Sequence, residues 1–219
     1  MIGDVFSVSP IVYLLIPVAF LLGSIPFGII FTRSKGVDLR STGSRNIGAT
    51  NVLRSAGKIS AMLTLFGDII KGALPVIICK YIINNVAGTM ETGETNSMVN
   101  DLWPGIVGLS AVLGHMFSVF LSFKGGKGVA TGFGVLSVYS PAVAGIMLLI
   151  WILVAFMFRY SSLAAISAVT AMPVVFILIG ASNIKVIIGI ILAALILYKH
   201  KSNIKNLIAG TESNIGRKG

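Results

Sequence analysis

The sequence predicts an all-α polytopic membrane protein of seven transmembrane helices, with the N-terminus outside and the C-terminus in the cytoplasm. Three observations predict it. Hydrophobic residues make up 55% of the 219 and charged residues 11%, against about 25% charged in a typical soluble domain. The apolar residues fall into runs near the roughly 20 that a helix needs to cross a bilayer. Lys and Arg outnumber Asp and Glu, 17 to 7, and they gather in alternate loops. No hydrophilic block is long enough to fold by itself, so residues 1–219 read as one integral-membrane domain.

The first span is Ile11 to Phe31. No basic segment precedes it, so it reads as a mature span rather than a cleaved signal. It ends in GSIPFG, Gly23 to Gly28. Gly and Pro weaken a helix there and let backbones approach. Ser24 is either part of a packing kink or a wall of a site. Arg33 to Lys58 is polar. The second span, Ile59 to Ile83, carries Asp68 and Lys71 three residues apart, on one helical face. An intramembrane charge pair is a candidate functional site, with a buried packing pair as the plainer alternative. Asn84 to Asp101 is a hydrophilic loop with Glu91, Glu94 and Asp101 and no Lys or Arg.

Leu102 to Phe123 is the third span, with Trp103 as interfacial anchor. His115 lies nine residues before Lys124, about 14 Å along one continuous helix. The turn FKGGKG, Phe123 to Gly128, follows. Val129 to Val138 is a short fourth span, of a length that suits a tilted or re-entrant element. Ala142 to Phe158, Leu163 to Ile179 and Ile184 to Tyr198 complete the set, before a basic tail. Fourteen of the 17 Lys and Arg fall on one side: the 33–58 segment, Lys124, Lys127, Arg159, and Lys199 to Lys218. Lys80 and Lys185 lie opposite, alongside Asp4 and the acidic loop. The basic side is the cytoplasmic one. The same rule explains the net charge of +10 without nucleic acid. One cysteine, Cys79, excludes an intrachain disulfide. Two histidines argue against a zinc site.

The positive-inside rule does not explain why the basic loops are also rich in Gly, Asn, Ser and Thr. GSRNIGATNVLR, Gly43 to Arg54, offers the hydroxyls of Ser44 and Thr50, the amides of Asn46 and Asn51, and the guanidinium of Arg54. Gly43 and Gly48 permit close backbone approach, and backbone N–H groups in such turns form anion nests. A helix beginning near Ala49–Asn51 aims its N-terminus at the same ligand, and Arg54 adds a fork for phosphate. Arg40 and Arg45 suit lipid headgroups equally well. FKGGKG is no nucleotide-binding P-loop, because Gly128 stands where Ser or Thr is required. Lys124 and Lys127 on a glycine hinge nevertheless suit a phosphate clamp. His200 and Asn203 share a face and can point at one polar pocket. His115, within the membrane, is either a structural partner or a base.

Taken together, GSIPFG, GSRNIGATNVLR-x-x-GK, GH-x-F-x-x-F-L-x-FKGGKG-x-A-T and H-x-x-NI-x-x-L-x-x-G-x-E resemble the bacterial acyl-phosphate-dependent glycerol-3-phosphate acyltransferases. The resemblance runs from Gly23 to Glu212. It implies an inner-membrane enzyme of phospholipid synthesis with its active site toward the cytoplasm. The implied reaction moves a fatty acyl group from acyl phosphate to the sn-1 hydroxyl of glycerol 3-phosphate. Lysophosphatidic acid and phosphate are the products. No cofactor and no metal is implied. Membrane lipids surround the enzyme, and a transient contact with the acyl-phosphate-producing enzyme is expected.

The family's phosphate motif falls on Gly43, Ser44, Asn46, Gly48, Asn51 and Arg54, its glycine turn on Lys124 and Lys127, and its C-terminal pair on His200 and Asn203. Ser24 marks the early wall. Ser44, Arg54, Lys127, His200 and Asn203 are the expected catalytic set. Thr50 joins the binding set, and Asp68, Lys71 and His115 stand behind it. The chain departs from the family at Arg45, where glycine is usual, at Ser118, where proline is usual, and at Ser202 and Asn206 in the tail.

Two doubly charged phosphates in one pocket explain the gathering of cations and neutral donors. Catalysis then rests on positioning and charge stabilisation. No carboxylate is spaced from a histidine as a base pair would require. The phosphate of glycerol 3-phosphate, with a second pKa near 6, is the preferred proton acceptor. His200 or His115 is the alternative. Two rivals remain at this level: from another class, a transporter of phosphate or a phosphorylated metabolite, which would place its cations at mid-membrane, and, as a second enzyme, a nucleotide-alcohol phosphotransferase, which would need a metal-binding carboxylate cluster.

Overall fold

A computed structural model describes residues 10–85 and 94–215, and these are helical apart from the 34–48 loop, the 117–128 reversal, the tail after 208 and short connections. The expectations placed on Asp4, Glu91, Arg217 and Lys218 lie outside the described residues. Helices α1 (Pro10–Ser24) and α2 (Phe27–Arg33) form one interrupted span. The break falls at Ile25-Pro26, where proline removes a backbone donor. A polar loop leads to α3 (Ala49–Ala56), then α4 (Lys58–Asn85), α5 (Glu94–Met116), a 3-10 turn (Val119–Leu121), α6 (Val129–Tyr139), α7 (Pro141–Phe158), α8 (Ser161–Leu178), α9 (Asn183–Lys199) and α10 (Lys201–Ile208). The acidic loop expected over Asn84 to Asp101 is shorter than that, because α5 already begins at Glu94.

By length and composition, five stretches can cross a membrane: Pro10–Arg33, Lys58–Asn85, Ser97–Leu121, Pro141–Phe158 and Ser161–Leu178. A sixth is α9 with α10, bent by 61°. Length and composition alone therefore do not establish all seven expected crossings, and the difference lies in α6, expected as a short fourth span, with its 11 residues. The cause is a reversal just before it. The third span stops at Met116 instead of running to Phe123. Ser122 and Phe123 adopt positive φ, 51° and 61°, and the chain folds back along α5. The Gly125 amide donates to Met116 O (3.1 Å) and the Gly126 amide to His115 O (3.0 Å). The 14 Å spacing of His115 from Lys124 along one helix thus disappears, and the glycine turn lies beside His115. From that depth α6 needs to rise only about 16 Å. It ends at Tyr139, whose hydroxyl donates to Asp101 O at 2.8 Å.

Asp101 closes the opposite end. It accepts from Ser182 Oγ at 2.6 Å and pairs with Lys185 at 3.0 Å. Lys80 donates to Val138 O there, at 2.8 Å.

Two apolar clusters hold the bundle. One joins α4–α9 around Val135, Met172, Phe176 and Leu192. The other joins α1, α4 and α5 around Val12, Ala19, Trp103 and Val107. Outward-facing Ile59, Phe66, Phe156 and Leu178 are well exposed, as lipid-facing residues are. Without a hydrophobic force between helices in lipid, close backbone contact has to supply the packing. Glycines provide it. A Cβ on Gly72 would strike the Thr131 carbonyl, and one on Gly134 would strike the Ile69 carbonyl, so α4 and α6 pack reciprocally.

Overpacking of such a contact costs about 1–3 kcal/mol. Gly134→Ala is therefore expected to lower the melting temperature in detergent by several degrees. Gly145→Ala, whose Cβ meets nothing within 4 Å, should leave it within about a degree by the ±0.5 kcal/mol usual at such sites. Equal melting temperatures for the two variants would contradict this packing.

Candidate active site

The 34–48 loop is tied down by one amide. Asn51 Oδ1 accepts from the Ser44 amide at 2.8 Å. Its Nδ2 donates to the carbonyls of Leu39 (3.3 Å), Thr42 (3.1 Å) and Asn46 (2.8 Å). All of Asn51's capacity is thus spent on the loop, and its position inside α3 is what allows this. Gly43, with φ 61°, lies directly against Asn51 Oδ1. Arg45 has φ 55°, a backbone region that glycine occupies without steric cost. Its side chain is exposed. Helix α3 begins at Ala49, within the expected window.

The glycine turn forms the second wall. Gly126 lies on the His115 ring, where a Cβ would collide with Nε2. Gly128 has φ 84°. Between them Lys127 turns into the cavity. Burial pushes its pKa below the usual lysine value; Glu212 opposes the shift, while Arg54 and Lys199 add to it.

The corner between α9 and α10 is the third wall. His200 Nδ1 lies 2.8 Å from Ile196 O, so Nδ1 carries the proton and Nε2 is left as an acceptor. Burial lowers the His200 pKa to about 4, against the bond to Ile196 and with Lys127 pushing the same way. The ring is neutral at pH 7. Asn203 Nδ2 donates to Glu212 Oε1 at 2.7 Å, and Ser162 Oγ donates to the same oxygen at 2.6 Å. The tail so held reaches Arg54, whose Nη1 donates to Ser213 Oγ (2.7 Å) and Nη2 to the carbonyls of Ser213 (3.0 Å) and Asn214 (3.2 Å). Arg54 Nε and Asn203 Oδ1 are buried without a hydrogen-bond partner.

These walls enclose a cavity of about 310 Å³. Ser44, Asn46, Gly48, Thr50, Asn51, Arg54, Lys127, His200 and Asn203 all border it. Thr50 Oγ1 lies 3.2 Å from Ser161 Oγ. Asp68 and His115 also reach it. Four expected residues do not border it. Lys124 is exposed on the outer side of the turn. Gly43 shapes the loop behind Asn51. Ser24 is buried between α1 and α5, donating to Phe20 O (2.8 Å) and Gly114 O (3.3 Å). Lys71 is turned away, toward Asp68 and Ile25 O.

The cavity also has residues that sequence reasoning missed: Ser161, Ser162, Glu212 and Ser213, and an apolar wall of Leu65, Ile69, Phe133, Met147, Trp151 and Met172. The G-x-E of the tail was the one available signal for Glu212. Most polar groups come from loops and helix ends, Asp68 of α4 excepted, and the apolar ones from helix interiors. Such a cavity suits a molecule with an anionic head and an apolar tail.

Comparison with known proteins agrees. The family model described as glycerol-3-phosphate acyltransferase matches residues 13–210. A glycerol-3-phosphate acyltransferase of Geotalea daltonii is 42% identical over 195 residues, 89% of this chain and 93% of that one. One of Methylorubrum populi is 46% identical over 198 residues, 90% and 89%. The crystal structure of PlsY, an integral membrane glycerol 3-phosphate acyltransferase, in its glycerol 3-phosphate form superposes with a TM-score of 0.81 at 38% identity, covering 94% of this chain and 96% of that one. Its lysophosphatidic acid form gives 0.79. This chain, an all-helical membrane bundle matched along nearly its whole length by the family model, by curated relatives and by a solved structure, belongs to the glycerol-3-phosphate acyltransferase family.

Proposed function

We propose that this acyltransferase takes its acyl group from an acyl phosphate and delivers it to the sn-1 hydroxyl of glycerol 3-phosphate. The observation that carries the reading is the single cavity in which Arg54, Lys127 and the Ser44–Asn51 loop face an apolar well. An acyl phosphate is already activated, so the chain has to align it rather than activate it. The hydroxyl oxygen attacks the carbonyl carbon. The carbonyl–oxygen bond to phosphate then breaks and phosphate leaves. Lys127 and Arg54 stabilise the charge that builds on the leaving oxygen. Glycerol 3-phosphate is held by its phosphate against the Ser44 loop.

His200 Nε2 and Asn203 Oδ1, both free to accept, orient the hydroxyl. A histidine with a pKa of about 4 is a poor proton store. The hydroxyl proton goes instead to the substrate's own phosphate, whose second pKa is near 6.

The same reading places the protein in the bacterial inner membrane with seven passes, its N-terminus outside and its C-terminus cytoplasmic. The loops carrying Ser44, Lys127, Ser161 and His200 meet at one cavity, while Tyr139, Lys185 and Asp101 meet at the other end. That pattern supports α6 as a full outward pass despite its length. Among the described residues, 12 of the 15 Lys and Arg lie in the loops and helix ends on the cavity side. A cytoplasmic mouth also lets the enzyme that makes acyl phosphate dock transiently.

Purified protein in detergent, given palmitoyl phosphate and glycerol 3-phosphate, is expected to release phosphate and form lysophosphatidic acid, with acyl-CoA giving no product. Absence of release from pH 6 to 9 would refute the donor. The substrate-assisted step is tested by the acid limb of kcat/KM. It should fall near pH 6 and move upward with a phosphonate analogue of glycerol 3-phosphate, which has a higher second pKa. A limb that ignores the analogue and disappears in His200→Gln would make His200 the base. On the alkaline side, the lowered Lys127 pKa means that the charge is lost below the ordinary 10.5. Affinity for glycerol 3-phosphate should weaken there. Lys127→Arg should push that fall to higher pH, because guanidinium stays protonated; an unchanged alkaline limb would count against Lys127 as the anion's partner.

A further inference from the structure

Asp68, Lys71 and His115 are each at most 4% exposed, within the membrane-spanning part of the bundle. Lys71 Nζ lies 2.7 Å from Asp68 Oδ1, and His115 Nδ1 faces the same oxygen at 3.6 Å. A buried ion pair is weak evidence for stability, since apolar residues of similar size often serve as well or better. Its cost in a bilayer points to a task. The connections at each end of the array show what that task is. Lys71 donates to Ile25 O at 2.8 Å, in the break between α1 and α2. At the other end the His115 ring bears on Gly126, where a Cβ would collide with Nε2 and lie 2.9 Å from Cε1. His115 O also accepts the Gly126 amide at 3.0 Å. Gly126 is followed directly by Lys127, which faces the cavity.

The ring is thus held by packing: Nδ1 faces Asp68 at 3.6 Å without a hydrogen bond, and the Nε2–Cε1 edge lies against Gly126. Neither is presented to a substrate hydroxyl, although the ring borders the cavity. The array is a strut from the helix break, through two charged side chains and an imidazole, to the backbone that carries Lys127. We propose that Asp68, Lys71 and His115 are positioning residues that set the depth and direction of Lys127 in the cavity, with Gly126 as the seat. They act on the reaction only through that lysine. Lys71 fixes Asp68, the Asp68 carboxylate bears on the Nδ1 edge of the ring at 3.6 Å, and the missing side chain at 126 lets the turn settle on the opposite edge. The inference rests on the proposed phosphate-binding role of Lys127, and it adds a reason for a glycine at 126 that no turn geometry demands.

A double-mutant cycle isolates such coupling. Asp68→Asn and Gly126→Ala are each combined with Lys127→Ala. Two readouts are taken on folded, monodisperse protein: affinity for inorganic phosphate by ligand-induced thermal shift, and kcat/KM for acyl transfer. Each single variant is expected to weaken phosphate binding about tenfold or more, in line with roughly 1.4 kcal/mol per decade. In the Lys127→Ala background the same changes should cost less than about twofold, because the lysine they position is gone. Losses that multiply with that of Lys127→Ala would overturn the proposal, as would single variants within about twofold of wild type by the usual additivity of distant sites. A merely structural array would lower the melting temperature without producing the coupling. Should Asp68→Asn not fold, Gly126→Ala decides alone, since it leaves every charge in place: coupled loss supports the strut, and unchanged binding overturns it. Phosphate affinity does not depend on acyl transfer. A wild type that binds phosphate but transfers no acyl group would refute the proposed reaction and leave the strut decidable.

Discussion

A carboxylate inside a bilayer has to find all of its partners within the protein, because no water is available to solvate it. Asp68 meets that constraint with Lys71 at 2.7 Å, and the His115 ring packs beside the same oxygen at 3.6 Å. Much of the architecture follows. Lys71 has to come from one turn further along α4, and its remaining donor capacity goes to Ile25 O, which is exposed as an acceptor because Pro26 interrupts the first span. His115 has to come from the last turn of α5. After that turn the chain folds back along α5, so the glycine turn sits on the ring. The short α6 is the geometric consequence. A helix that starts at the depth of His115 has less far to travel.

The site is assembled from segments that are each held by something other than a ligand. The Ser44 loop hangs on the Asn51 amide, which makes four hydrogen bonds and keeps none for a substrate. The α9–α10 corner is held by His200 to Ile196 O. The tail is clipped at Glu212 by Ser162 and Asn203 and at Ser213 by Arg54. What these arrangements leave over is Arg54 Nε, Asn203 Oδ1, His200 Nε2 and the Lys127 ammonium, all facing or bordering one cavity. A preorganised set of this kind costs little reorganisation when charge develops on a transferring group. The apolar wall from α4, α6, α7 and α8 suits the tail of a molecule whose head is charged.

Much of this was legible in the residues, because polar groups stand out in a chain that is only 11% charged. Arg54, Lys127, His200 and Asn203 were readable by contrast with their surroundings, and the start of α3 was readable from Gly48 and the small residues after it. Other features left no local trace. Apolar character continues through Phe117, Val119, Phe120 and Leu121, so hydropathy carries the third span past the true reversal at Met116. The reversal is made by Ser122 and Phe123 in positive φ, which neither residue announces. Lys124 and Lys127 are equivalent as sequence; only the fold sends one outward and one inward. Asn51 read as a ligand because an amide donates equally well to phosphate and to carbonyls. Glu212 is one acidic residue in a basic tail, and its role depends on Ser162, fifty positions away.

The central claim is that the cavity joins an acyl phosphate to glycerol 3-phosphate by attack at the carbonyl carbon. Palmitoyl phosphate labelled with ¹⁸O at the bridging oxygen tests it directly. The account predicts that the label leaves entirely in inorganic phosphate, while lysophosphatidic acid carries none. Label appearing in free palmitate, with a doubly phosphorylated glycerol as the other product, would place the attack at phosphorus and contradict it.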